Sequence, residues 1–262
     1  MSNPDIKFDN GAAYERMMGI WSRMVGDIFL DWLALPQSLS WLDVGCGNGA
    51  FTELLAQRCA PIALHGLDNS PEQIAYAMER PSTKLARFQV GNALELPFEA
   101  HHFDAVTMAL VIFFLPDPAK GVAEMVRVAR ASGSVSAYAW DIIGGGSPIE
   151  PIRAEMRALG LTPAHAPADD ASRCETMRDL WQTAGLVGVE TRQIEVERSF
   201  PSFEDFWTIT LQGSILGPAV SRMGEADRQR LREGVMARLN ARDGGEVRYR
   251  SRANVVKGMI PD

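Results

Sequence analysis

Two acids and three glycines stand where apolar strands give way to helices. The segment Trp41-Leu-Asp-Val-Gly-Cys-Gly-Asn-Gly-Ala50 runs from an apolar strand through Asp43 into Gly45, Gly47 and Gly49. Glycine lacks Cβ, so the backbone can turn left-handed and pass close to a ligand that a side chain would push away. Phe51-Thr-Glu-Leu-Leu-Ala-Gln-Arg58 then reads as a helix whose first amides are left unpaired at the turn. Asp43, two residues before the first glycine, sets a carboxylate where it can face a ligand's positive charge. A second acid, Asp68, closes the short apolar strand Ala63-Leu-His-Gly-Leu67. Its separation from the turn, about 20 residues, is that of an acid binding a ribose. Ser70 and Pro71 follow as the N-cap and first residue of the next helix. The chemistry implied is a nucleoside held at the carboxyl ends of two strands. The spacing also fits the dinucleotide fingerprint, with Ala50 at its sixth position, so a nicotinamide cofactor stays open at this point.

Further segments come in order: Gly66-Leu-Asp-Asn-Ser-Pro71, Gly91-Asn-Ala-Leu-Glu-Leu-Pro-Phe98, Phe103-Asp-Ala-Val106, Leu115-Pro-Asp-Pro118 and Glu124-Met-Val-Arg-Val-Ala-Arg-Ala-Ser-Gly133. With Leu42-Asp-Val-Gly-Cys-Gly-Asn-Gly49 at their head, they make the chain resemble the class I S-adenosylmethionine-dependent methyltransferases over about residues 10 to 140. The likeness is to the small-molecule, ubiquinone/menaquinone-type branch (methyltransferase type 11). It implies an α/β fold with a Rossmann-like seven-stranded, mostly parallel sheet, the last strand antiparallel, helices on both faces and a helical substrate cap. It implies S-adenosylmethionine as cofactor, with Asp43, Gly45, Cys46, Gly47 and Asn48 at the methionine end and Asp68 and Asn69 at the ribose. Asn92, Ala93 and Leu94 fall in the loop on the adenine side, and Ala109 and Leu110 complete the set. Asn92 stands where many relatives carry aspartate; its amide oxygen still accepts a hydrogen bond. Phe113-Phe114 stands where some relatives have histidines, so no histidine base is carried over. The segment Tyr14-Glu-Arg-Met-Met-Gly-Ile-Trp-Ser-Arg23 resembles the part of relatives that closes over the cofactor, which adds Tyr14 and Trp21 to the site. A plain packing helix is the alternative, because methionine and aromatic stripes usually mean core.

The elements that must position these residues can be read from periodicity. Apolar residues at near-helical spacing from Ala12 to Leu35 stop at Pro36. Strands near 40–45, 62–68, 85–90, 103–110 and 134–140 alternate with helices near 50–58, 71–79 and 118–131, the pattern of parallel pairing with right-handed crossovers. Gly144-Gly-Gly146 and Pro148 then punctuate the chain before a helix from about Ile149 to Leu159. A helix near 175–184, a strand near 187–197 and a last strand near 246–257 resume the sheet. Between them, residues 200 to 243 hold Phe203-Glu-Asp-Phe-Trp207 and a charged helix from Glu225 to about Asn240. The expectation is one domain over 1–262, with a lid at 10–35 and cap insertions at 142–170 and 200–243.

Composition narrows the partners. A net charge of −7 over 262 residues argues against a phosphate-backbone footprint, so a small molecule is expected rather than nucleic acid. Arg248, Arg250 and Arg252, at period two, read as a salt-bridged strand face. Cys46, Cys59 and Cys174 are odd in number and have no metal-ligand spacing, which points to the cytosol and to no metal. No run approaches the roughly 18 apolar residues of a membrane helix, and a homodimer is left open. His65 falls in a packed strand, His101 and His102 in a turn, and His165 in a loop of the cap region. Tyr138 and Trp140 share one strand face and Asp141 the other, so only one set can face a substrate.

The expected activity is in-line methyl transfer to a small, aromatic or lipophilic acceptor, with no catalytic side chain assigned. A base is optional, because the sulfonium activates the methyl group and the protein mainly aligns and dehydrates. The rivals are a nicotinamide-dependent oxidoreductase and a protein that binds S-adenosylmethionine without turnover.

Overall fold

The computed structural model describes residues 15–242 and 244–262. A π-helical turn, Glu15–Gly19, leads into α1 (Ile20–Leu33), which stops where Ala34 turns left-handed at φ 51° and closes its amide onto Leu30 O. Trp21, Val25, Phe29 and Leu33, four apart, form its buried stripe. Then come β1 (Ser40–Val44), α2 (Ala50–Arg58), β2 (Ala63–Asp68), α3 (Pro71–Met78), β3 (Ala86–Val90) and β4 (Phe103–Ala109). The alternation continues through α4 (Pro118–Val128), β5 (Ala129–Trp140), α5 (Glu150–Ala158), α6 (Cys174–Thr183) and β6 (Val187–Phe200). Three helices come next, α7 (Phe203–Gln212), α8 (Gly217–Ser221) and α9 (Glu225–Arg238), and β7 (Val247–Met259) ends the fold.

The seven strands form one sheet in the order β3-β2-β1-β4-β5-β7-β6, with β7 antiparallel to both neighbours and the other described pairings parallel. This is the Rossmann-like sheet expected from the motifs. Right-handed crossovers put α2 and α3 on the opposite face from α4, because strand order runs outward in opposite directions from β1 and β4. α1 packs beside α2 on one face, and α6 packs beside α4 on the other. The reversal leaves a crevice at the carboxyl ends of β1 and β4, the place where open α/β sheets bind ligands.

Boundaries differ from the periodicity reading where pairing overrides it. α4 stops at Val128 rather than near 131, because Ala129 becomes extended and pairs with Phe103. Ser132 at φ 58° then opens a bulge before the register resumes at Ala105↔Ser134. β6 runs on to Phe200, paired without a break from Glu190 onward with a β7 that begins at Val247. Ion pairs cover the outward arginines of β7: Arg250 meets Glu197 at 2.7 Å and Glu195 at 3.6 Å, and Arg252 meets Asp141 at 2.6 Å. Among the described residues no helix is long and apolar enough to cross a membrane.

Trp181 ties α6 to the sheet. Fully buried, it donates from Nε1 to Val135 O at 2.9 Å and lies where a Cβ on Gly258 would come within 3.1 Å. Trp181→Ala leaves a cavity and removes the Nε1 bond to Val135 O, and urea denaturation should show a loss of about 3–5 kcal/mol. A loss under about 1 kcal/mol would show that this contact does not hold the face together.

Candidate cofactor cavity and adjoining chamber

The turn after β1 is shaped by its surroundings. A Cβ on Gly45, at φ 74°, would sit 2.4 Å from Val111 Cγ2, so only glycine lets the turn close on the loop after β4. Gly47, at φ 51°, faces open space in the cavity. The amides of this turn are largely spent within the protein. Gly45 and Cys46 both donate to Leu67 O, Gly47 donates to Asp68 Oδ2 at 2.8 Å, Gly49 donates to Cys46 O, and Ala50 donates to Asn48 Oδ1. A pyrophosphate cradle needs such amides free at the helix start. Here the amides of Gly45, Cys46, Gly47 and Gly49 are occupied, and the expected unpaired amides fall to the first helical residues after Ala50.

Below the turn lies a cavity of about 700 Å³, within the range of cofactor and small-molecule sites. Ten expected residues line it: Asp43, Gly45, Cys46, Gly47, Asn48, Asp68, Asn69, Ala93, Ala109 and Leu110. Among the described residues the charged ones on its wall are Asp43, Asp68 and Glu72, with no lysine or arginine beside them. Asp43 is fully buried; its Oδ2 accepts from Thr52 Oγ1 at 2.7 Å, while its Oδ1 has no partner. Burial pushes its pKa from 3.8 to about 7, the Thr52 bond opposes the rise, and the Asp68 charge adds to it. Asp68 accepts from the amides of Gly47 and Ser70 at 2.8 and 2.9 Å. Its pKa is also raised by burial, against the pull of the Ser70, Gly47 and Asn69 amides. Burial, then the charges of Asp43 and Asp68, holds the Cys46 thiol well above its ordinary range.

The turn is braced from outside by a charge cluster that sequence reasoning missed. Arg80 donates from Nε to Asn48 O at 2.6 Å, pairs with Glu53 at 2.9 Å and pairs with Glu15 on the N-terminal segment. Asn48 Nδ2 donates to Glu15 at 2.7 Å, so this side chain secures the segment to the turn. Nothing in the spacing of Glu15, Glu53 and Arg80 signals their meeting; the crossovers bring them together. Ser22 also went unnoticed: it lines the cavity, and its Oγ lies 2.8 Å from Tyr138 Oη.

Three expected cofactor contacts do not line the cavity. Trp21 is 1% exposed and packs edge-on to Trp140 and Tyr249, with centroids 6.3 and 6.4 Å apart. It serves as core, because its position on α1 points at β5–β7 while Ser22 faces the cavity. Asn92 is exposed, and its Oδ1 accepts from Leu94 N at 2.9 Å, so the amide oxygen shapes its own loop. Leu94 packs against the core near the position of Gly121. Tyr14 lies outside the described residues.

A second, smaller cavity of about 50 Å³ shares Leu110 and Phe114 with the first. Its walls come from Met18, Phe113 and Trp140, from the 142–170 stretch (Ile142, Ser147, Ile149, Arg153, Ala166 and Asp169) and from Gly213 to Ile215. Of the residues ending β5, Trp140 reaches this chamber, Tyr138 is buried beneath α1, and Asp141 is held by Arg252. No histidine lines either cavity. His65 is wedged edge-on among Phe98, His102 and Phe103 with its pKa lowered by burial, then by the Arg87 and His102 charges. His101 Nδ1 sits 3.3 Å from Ala129 O, and His165 Nδ1 sits 3.0 Å from Ala166 O.

Comparison with known families agrees with this geometry. The family described as "Methyltransferase domain" matches residues 42–137, from β1 to β5. Residues 42–137 thus carry that family's pattern. The chain is similar to 2-methyl-6-phytyl-1,4-hydroquinone methyltransferase 2, chloroplastic, of Oryza sativa subsp. japonica, at 34% identity over 44% of this chain and 33% of the relative. It is similar to demethylmenaquinone methyltransferase of Bacillus cytotoxicus at 37% identity, over 36% of this chain and 41% of the relative. The chain therefore spans between a third and about two fifths of these curated relatives in matched length. In structure it resembles Haemonchus contortus phosphoethanolamine N-methyltransferase 2 in complex with S-adenosyl-L-methionine, with TM-score 0.59, 18% identity, and coverage of 98% of this chain and 58% of the other; this shows the shared fold. The methyltransferase domain supplies most of the large cavity, whereas most of the small chamber's wall lies beyond residue 137.

Asp43 makes the ligand-free protein sensitive to pH. Folding raises its pKa, so between about pH 4 and 7 the folded protein holds a proton that the unfolded chain has released. Stability from this group falls as pH rises across that window, by on the order of 4 kcal/mol in full above it. Asp43→Asn keeps the Thr52 bond and carries no charge. Ligand-free Asp43→Asn should be the more stable protein at pH 8 by about 1 kcal/mol or more and should match wild type near pH 4. Equal melting of the two at pH 8 would contradict a strained, buried carboxylate.

Proposed function

We propose that this chain transfers a methyl group from S-adenosylmethionine to a small lipophilic or aromatic acceptor. One observation carries the reading: a 700 Å³ cavity at the strand ends has only acids among its charged wall residues, one of them with a buried, unpartnered oxygen. That wall suits a cationic nucleoside. It suits a dinucleotide badly, because the amides of Gly45, Cys46, Gly47 and Gly49 are already bonded within the protein and three acids share the wall. The nicotinamide-dependent alternative thus loses the support that glycine spacing lent it, and the rice and bacterial relatives are methyltransferases by name.

In this reading Asp43 Oδ1 takes the α-ammonium at the methionine end, and Asp68 accepts from the ribose hydroxyls. A carboxylate offers about four lone-pair sites, so the bonds from Gly47 and Ser70 leave it acceptor capacity. Gly47 lets the ligand approach the backbone, and Ala93, Ala109 and Leu110 supply apolar walls. When bound, S-adenosylmethionine supplies a methyl group activated by its own positive charge. The chain's part is to align the acceptor and exclude water, an effect on the order of 7–11 kcal/mol in well-oriented reactions. Neither cavity offers a histidine base, in keeping with an acceptor already nucleophilic or deprotonated elsewhere. The stretches 10–35, 142–170 and 200–243 are inferred to act as lid and cap. The quinol substrates in the relatives' names support a hydroquinone-type acceptor, and cysteine usage supports the cytosol.

Calorimetry with S-adenosylhomocysteine tests the cofactor. Binding should weaken at least tenfold in Asp68→Ala and should be undetectable for reduced nicotinamide dinucleotide. Absence of binding at millimolar S-adenosylhomocysteine would defeat the proposal. Affinity should also fall as pH is lowered through about 7, as Asp43 takes a proton, and Asp43→Asn should bind weakly with little pH dependence. A flat wild-type profile from pH 6 to 8 would remove Asp43 from the role. Transfer of labelled methyl to a panel of hydroquinones then separates turnover from binding alone.

A further inference from the structure

The small chamber is mostly apolar, with Ser147, Ser214 and the pair Arg153 and Asp169 as its polar side chains. Met18, Phe113, Phe114, Trp140 and Ile149 enclose it, and Arg153 with Asp169 lies at its wall. Arg153, on α5, is 6% exposed. Its Nη2 donates to Asp169 Oδ2 at 3.3 Å and to Ala164 O at 3.2 Å, while its Nε is buried and has no partner. Asp169 is also anchored, accepting from Ala166 N at 3.1 Å through Oδ1. A buried donor without an acceptor is costly, and in native structures such groups usually meet a ligand or water.

We propose that Arg153 is a specificity-determining residue that donates from Nε to a neutral oxygen, a hydroxyl or carbonyl, on the acceptor's apolar ring. This rests on the methyl-transfer reading for the acceptor's identity as substrate, but the recognition chemistry stands on the chamber itself. Charge decides which oxygen. Asp169 already neutralises Arg153, so a carboxylate bound here would bring an uncompensated negative charge into a buried, mostly apolar space. A neutral oxygen satisfies Nε without that cost. Size agrees: a cavity of about 150 Å³ takes a benzene ring, so some 50 Å³ takes only the oxygen-bearing end. The rest of the ring then lies past Leu110 and Phe114 in the larger cavity, beside the proposed methyl donor.

The test uses p-cresol, p-xylene and p-toluate, which share a ring and differ in hydroxyl, methyl and carboxylate. Each is titrated by ligand-observed NMR against the whole protein, with and without saturating S-adenosylhomocysteine. Wild type should bind p-cresol at least tenfold more tightly than either of the others. The double variant Arg153→Met/Asp169→Asn removes both charges together, so no lone ion is left buried. In it the preference for p-cresol over p-xylene should drop below threefold, while S-adenosylhomocysteine affinity stays within twofold of wild type. Arg153→Lys, which keeps the charge and lacks Nε, should lose most of the preference as well. No preference in wild type, a preference surviving in the double variant, or p-toluate binding ahead of p-cresol would each overturn the assignment. If S-adenosylhomocysteine fails to bind but the Arg153-dependent preference persists, the cofactor reading falls and this one stands.

Discussion

The structure turns on a buried carboxylate with no cationic side chain on its cavity wall among the described residues. Asp43 sits near the end of a strand whose five residues are all buried, with one oxygen bonded to Thr52 and the other buried without a partner at the cavity wall. Asp68, raised by its own burial, adds like charge to the same cavity. In a ligand-free protein this is a strained arrangement, because desolvation disfavours the charged form. A ligand carrying positive charge reverses the balance, which is why stability and binding are expected to pull in opposite directions at this residue.

Holding the two acids apart and in place falls to backbone rather than side-chain chemistry. Leu67 O collects the amides of Gly45 and Cys46, and Asp68 collects those of Gly47 and Ser70, so the ends of β1 and β2 are sewn together through the turn. The same bonds occupy the Gly45, Cys46 and Gly47 amides, which a phosphate seated in this turn would otherwise use. A glycine-rich turn that looks alike in sequence can therefore serve a sulfonium nucleoside or a dinucleotide, depending on where its amides point. Arg80 braces the arrangement through Asn48 O, Glu53 and Glu15.

The two cavities differ in origin. The larger is built mostly by strand ends and turns within the methyltransferase domain, the smaller by the chain beyond β5 and by the N-terminal segment. The proposed cofactor cavity and the proposed acceptor chamber thus come from separate stretches of chain that meet at Leu110 and Phe114. Such a division lets the acceptor chamber change without disturbing the turn, since loops and insertions vary more freely than the sheet beneath them.

The strand and helix order, the glycine turn and both acids were legible in the amino-acid sequence, because they rest on local rules: residue period, caps and the special backbone freedom of glycine at Gly45 and Gly47. The likeness of Leu42–Gly49 and Gly66–Pro71 to one family extended that reading to the antiparallel last strand. Local rules could not say that Trp21 turns into the core while Ser22 faces the cavity, since both lie on a helix apolar enough to pack either way. They could not show that Asn92 spends its oxygen on Leu94 N, or that Arg80 joins Glu15 across the turn. Those outcomes, with the unpartnered Nε of Arg153, depend on which distant groups a crossover delivers within hydrogen-bond reach, and only the folded chain decides that.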